Sequence, residues 1–164
     1  MKFLKIKSYA KINLSLNIIG KLRSKLYQIE SLVTFVNLHD LIYLRPIRLN
    51  RHKIYFRGKF AKGISSKNTV SKLLQILDKK KLLNNQKFEI KINKNIPQQS
   101  GMGGGSMNAA CLINYFYNKK IIQLNQKRLI NLANLIGSDV MLGINPKNTV
   151  LSSSGKLTKF KKKL

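Results

Sequence analysis

Pro97-Gln98-Gln99-Ser100-Gly101-Met102-Gly103-Gly104-Gly105-Ser106-Met107-Asn108-Ala109-Ala110 is the stretch that decides the reading of this chain. Of the 10 glycines in the sequence, Gly101, Gly103, Gly104 and Gly105 fall here. Phe88 to Ile92 before it reads as a strand, and Ala109, Leu112, Ile113 and Phe116 after it share one face of a helix. A loop that brings several backbone N–H groups to one point at a helix start is suited to an anion. Glycine permits positive φ and close approach of the ligand. A nucleotide phosphate chain is the natural occupant.

The spacing excludes two common phosphate loops. No Gly-Lys-Ser/Thr closes the loop, so it is not a Walker A sequence, and the dinucleotide G-x-G-x-x-G pattern fails at its third glycine, where Ser106 stands. A flexible turn without a ligand does not need three consecutive glycines between a strand and a helix.

At 164 residues with 43% hydrophobic residues, the chain is long enough for one domain with a real core. No apolar run reaches transmembrane length. Met1 to Lys7 alternates charged and apolar residues, which fits a strand and not a secretion signal. Cys111 is the one cysteine and is expected to be a small buried residue; the cytoplasm is the expected compartment. A net charge of +27 predicts nonspecific polyanion binding at low salt. Lysine is spread over the whole chain beside abundant Asn and Ile, which points to a compositional bias and not to a nucleic-acid patch. The same bias makes the acids informative. Only Glu30, Asp40, Asp78, Glu89 and Asp139 remain, and each is expected to have a specific partner or task.

Phe3 to Tyr9 and Lys11 to Ile18 read as two strands, the second with Ile12, Leu14, Leu16 and Ile18 on one inward face. Leu32 to Val36 and Leu41 to Leu44 read as two more, joined by a turn at 37–40, and His52 to Arg57 as another. Helices are predicted at 69–80, capped by Asn68, at 106–118 and at 126–136, closed by Gly137 as a C′ glycine. Ser138 or Asp139 is placed to cap a short following turn. Strand 87–93 precedes the glycine loop, and one or two strands and a basic tail close the chain. The class is α+β.

Three segments, in order, resemble the GHMP superfamily of small-molecule kinases, which includes galactokinase, homoserine kinase, mevalonate kinase and phosphomevalonate kinase. Ser8-Tyr9-Ala10-Lys11-Ile12-Asn13-Leu14 resembles its opening motif, Pro97 to Ala110 its ATP loop, and Ile136-Gly137-Ser138-Asp139-Val140 its catalytic aspartate motif. The resemblance spans residues 3–160. It implies a fold similar to ribosomal protein S5 domain 2, over residues 1–158 with a basic tail at 159–164. It implies ATP as co-substrate with Mg²⁺, held by Pro97 to Met107. It gives Asp139 the role of taking or orienting the hydroxyl proton, and Lys11 that of stabilising the ionised Asp139 and the developing charge.

The triple glycine and the Ala-Lys-Ile-Asn-Leu opening look most like the branch that phosphorylates the 2-hydroxyl of a cytidine diphosphate-linked methylerythritol in non-mevalonate isoprenoid synthesis. There, Tyr27 would stack on the cytidine, and Leu38-His39-Asp40 would lie in the substrate segment. Asn13 is expected to bond or pack near Lys11, and His39 and His52 to lie at the surface. Leu26-Tyr27-Gln28 stands where the family has Gly-Tyr-His, and Met107 replaces a serine. Gln28 keeps hydrogen-bonding capacity with altered geometry.

The family also carries a C-terminal domain, and the chain stops near its boundary. The expectation is that this domain is absent, leaving a weak kinase, a half completed by a dimer or a separately encoded chain, or an eroded non-catalytic remnant. Another GHMP-type kinase and a basic RNA-binding domain are the rival readings.

Overall fold

A computed structural model describes residues 2–21, 27–144, 146, 149–152 and 157–159. A long hairpin organises the fold: β1 (Leu4–Lys21) runs antiparallel to β2 (Tyr27–Ile47). β3 (Lys53–Arg57) leads through α1 (Thr69–Lys79) to β4 (Lys87–Asn93), which pairs parallel to β3 and antiparallel to β2. The glycine loop, α2 (Gly104–Asn118), α3 (Gln126–Ile136) and α4 (Val140–Ile144) follow. β5 (Thr149–Ser152) then pairs with β2, and β6 (Leu157–Lys159) with β5. The described sheet runs β3-β4-β2-β5-β6, with β1 along β2.

Alternation decides the faces. Ile42, Leu44, Phe88, Ile90 and Ile92 point to one side and are buried. On them pack Val70, Leu73, Leu74 and Leu77 of α1, Leu112, Ile113 and Phe116 of α2, and Leu129, Leu132 and Ile136 of α3. Lys5, Tyr43, Lys91 and Tyr55 are neighbours across four strands on the opposite face. α1 begins as predicted: the Asn68 carboxamide accepts from the amides of Val70 and Ser71, and the Ser71 hydroxyl accepts from the Asn68 amide.

Several sequence expectations need correction. The two early strands are one, and so are Leu32–Val36 and Leu41–Leu44. Where a turn was expected, Tyr9 pairs with His39 and Ala10 with Val36, so Asn37 and Leu38 form a bulge that bends the hairpin without ending it. A second irregularity falls between Asn13 and Ser15 and leaves Leu14 without a register partner. That extra residue reverses the alternation, so Ile12 faces one side and Leu16 and Ile18 the other. The expected inward face does not form: Leu14, Leu16 and Ile18 are 47%, 58% and 65% exposed.

α2 starts at Gly104, two residues earlier than predicted. Gly137 ends α3 in extended backbone, with φ 179°, and not as a left-handed cap. His52 is not a surface residue. It stacks on Phe88 at 6.1 Å, accepts at Nδ1 from the Phe88 amide and meets Asp78 through Nε2. Burial holds its pKa below the ordinary value despite Asp78. Cys111 is half-buried, and burial pushes its thiol pKa up.

Candidate active site

The bend in the hairpin sets the first functional group. Immediately past it, Lys11 is buried, and its amide donates to the carbonyl of Met102 in the glycine loop at 3.1 Å. Its Nζ lies 3.3 Å from Asp139 Oδ2 and donates to Asn13 Oδ1 at 3.1 Å. The lysine side chain is 6% exposed and the aspartate 36%, so the ammonium is anchored and the carboxylate opens to a ligand. Asp139 stands directly before α4, with its carboxylate turned to Lys11. Residues 128 positions apart in the sequence thus share one ion pair below the loop.

The loop is built over that pair. Gly103 is the N-cap of α2, with φ 67°, and a Cβ there would fall 3.0 Å from Lys11 Cγ. A Cβ on Gly104 would meet Lys94 Nζ at 3.0 Å and Ile96 Cγ2 at 3.1 Å. Only glycine lets the chain pass this close to Lys11 and Lys94. No side chain caps α2, whereas Asn68 and Asn125 cap α1 and α3. The amides of α2's first turn therefore point outward uncapped, at the positive end of a helix of 15 residues. Gln98 reaches away and donates to the carbonyls of Phe60 and Lys62, while Ser100 donates to the Pro97 carbonyl.

Beside the loop lies a cleft of about 290 Å³. Phe56, Ile64 and Val70 give it an apolar side, and Asn68, Gln99 and Asn108 polar ones. An apolar cleft next to a phosphate loop can hold a nucleoside base. Thr69, from the start of α1, donates to the Gly105 carbonyl at 2.7 Å and joins cleft to loop.

The residues that brace the loop escaped sequence reading as a group. Asp40 is fully buried beneath it. Its Oδ1 accepts from the amides of Asn95 and Ile96 at 2.8 and 2.9 Å, and its Oδ2 from Lys94 and from Asn108 Nδ2. The scarcity of acids was the available signal. Asp40 pairs with Lys94, Asp78 with His52 and Lys87, Glu89 with Arg45 and Lys91, and Asp139 with Lys11. Although burial opposes it, the hydrogen bonds from Arg45 and Lys91 hold the Glu89 carboxyl below its usual pKa.

Tyr27 and Gln28 begin β2, where their backbones pair with Lys21 and Gly20; their side chains lie outside the described part of the structure. Among the described residues no three His, Cys, Asp or Glu side chains gather around a metal position. The oxygen donors at the loop are the Ser106 hydroxyl, in the first turn of α2, and the Asp139 carboxylate, already paired with Lys11. So few protein ligands suit an ion that keeps its waters and rides on phosphates.

An uncapped glycine loop opposite a lysine–aspartate pair, on a mixed sheet covered by helices, is an arrangement suited to an anionic phosphate group. Over residues 68–155, more than half of its length, the chain matches the family described as GHMP kinases N terminal domain, and it belongs to that family. Its fold is the α+β fold of that domain, similar to ribosomal protein S5 domain 2.

It is 57% identical, over its full length and 58% of the relative's, to the 4-diphosphocytidyl-2-C-methyl-D-erythritol kinase of Pelagibacter ubique (strain HTCC1062). A kinase of the same name from Clostridioides difficile (strain 630) is 30% identical over 98% of this chain and 54% of its own length. A crystal structure of 4-(cytidine 5'-diphospho)-2C-methyl-D-erythritol kinase superposes with a TM-score of 0.77 at 20% identity, over 96% of this chain and 55% of that one. The chain thus spans between half and three-fifths of the length of these relatives.

Proposed function

We propose that this domain holds ATP and carries the catalytic pair for phosphorylation of the 2-hydroxyl of 4-diphosphocytidyl-2-C-methyl-D-erythritol. The observation that carries the reading is the Lys11–Asp139 pair at 3.3 Å beneath an uncapped glycine loop. Phosphoryl transfer asks a protein mainly for positioning and charge stabilisation. In this reading the amides from Gly101 to Ser106 hold the triphosphate, and the cleft at Phe56, Ile64 and Val70 takes the base. Asp139, the more exposed partner, orients the attacking hydroxyl and accepts its proton. Lys11 keeps Asp139 ionised and faces the charge that develops on the transferring oxygens. Mg²⁺ would ride with the phosphates and neutralise part of their charge, with the Ser106 hydroxyl as the side chain that would hold it.

Tyr27 and Gln28 are assigned to the cytidine end of the substrate, where a flat ring suits a base. The 57% identity to the Pelagibacter kinase supports this substrate over those of other GHMP-type kinases. The RNA-binding reading gives no reason for the glycine loop. Cytoplasmic location belongs to the same proposal; among the described residues no helix is long and apolar enough to cross a membrane.

The test is turnover by the purified chain with ATP, Mg²⁺ and this substrate, followed by ADP release, with mevalonate and homoserine as competing substrates. Asp139→Asn is expected to lower the rate by about 100-fold or more. Equal rates for wild type and Asp139→Asn, or absence of turnover in both, would remove the catalytic assignment.

A further inference from the structure

Asp40 takes no part in the chemistry proposed above, yet its carboxylate is among the most fully engaged groups in the molecule. It is completely buried, and both oxygens accept two hydrogen bonds. Its donors come from both ends of one loop. The amides of Asn95 and Ile96 and the ammonium of Lys94 belong to the chain just before Pro97. The carboxamide of Asn108 belongs to the residue just after Met107. The adjacent carbonyl of His39 accepts from Asn95 Nδ2 at 2.9 Å, so the same point of β2 grips the loop entrance twice. Asp40 follows the bulge at Asn37 and Leu38 by two residues.

We propose that Asp40 is a positioning residue for nucleotide binding: it fastens the entrance and exit of the 97–107 loop and thereby sets the direction of the loop amides. The proposal rests on reading that loop as the ATP loop. Lys94 supplies the counter-charge that lets a carboxylate stay in the interior. The loop between the two fastened ends contains Gln99, Gly101 and Gly103 at positive φ, a shape that an untied glycine-rich segment would leave readily. Asn108 Oδ1 is buried and takes no hydrogen bond among the described residues, so the Asn108 amide is held through its Nδ2 bond to Asp40.

The experiment removes the ion pair as a unit, which avoids stranding one buried charge. Asp40→Asn/Lys94→Met keeps a carbonyl for the Asn95 and Ile96 amides, and rotation of the Asn108 amide gives the new NH₂ an acceptor. Asp40→Ala/Lys94→Met keeps neither. Two readouts are needed: amide hydrogen exchange across 94–108, with α1 and β3 as internal references, and titration with the fluorescent analogue mant-ATP. The asparagine variant should exchange like wild type in the loop. The alanine variant should exchange about tenfold or more faster there, and bind mant-ATP about tenfold more weakly, with α1 and β3 unchanged.

Equal loop exchange in the two variants overturns the proposal, and so does a loosened loop with unchanged affinity. Parallel loosening of α1 and β3 makes Asp40 a general stability residue and overturns it as well. If wild type fails to bind mant-ATP, the nucleotide reading falls separately. The exchange comparison then decides alone, unequal loop rates upholding the fastening role and equal rates ending it.

Discussion

The two halves of the β1–β2 hairpin carry the same kind of sequence and meet opposite fates. In the lower half Ile42 and Leu44 are sealed under the helices, and Lys11 is buried at the bend. In the upper half Leu14, Leu16, Ile18 and Ile19 are 47%, 58%, 65% and 53% exposed. Alternation records which residues share a face; it does not record whether anything lies over that face. The main helical layer covers the lower half; past the bend Met107 and Leu142 still bury Val33 of β2, but the face of β1 that carries Leu16 and Ile18 is left open. Exposed leucines and isoleucines along one strand are also a surface prone to association.

Three substitutions on or against this hairpin probe the contrast. Ile42→Ala opens a cavity in the lower half, where Ile42 is fully buried, and should cost about 2–5 kcal/mol in urea denaturation. A cost below about 1 kcal/mol would mean that the lower half is no better packed than the upper. At the bend, Gly103→Ala must hold φ 67° and push Lys11, at a cost of about 1–2 kcal/mol. It should also weaken mant-ATP binding, because the amides it displaces are those assigned to phosphate. Unaltered affinity would separate Lys11 from the loop in function. In the upper half Ile18→Ser should change stability by no more than about 0.5 kcal/mol while reducing self-association in sedimentation. A large stability loss there would show that the exposed face is covered in solution.

Legibility followed sequence distance. α3 and β4 were predicted to the residue, and α1 with its Asn68 cap, because the deciding contacts lie within one turn or one alternation. The glycine loop was visible for the same reason: its shape comes from residues that adjoin one another. The join of Lys11 to Asp139 was reached through resemblance, not periodicity, and the Asp40 cluster was not assembled at all. Asp40 and Lys94 are 54 positions apart, and nothing local to either names the other. The bulge at Leu14 was equally hidden, since an extra residue in a strand appears only when the partner strand fixes the register. His52 looked like a surface histidine until Phe88 and Asp78 closed around it.

Taken alone, the sequence determined the α+β class, the bounds of β4 and α3, and the glycine loop that leads into α2, because backbone conformation and side-chain periodicity are short-range properties. Tertiary structure alone decided which apolar face was covered, where the hairpin bends, and which buried carboxylate fastens the loop. Those outcomes depend on groups far apart in the chain desolvating one another, and desolvation is settled only when the surfaces meet.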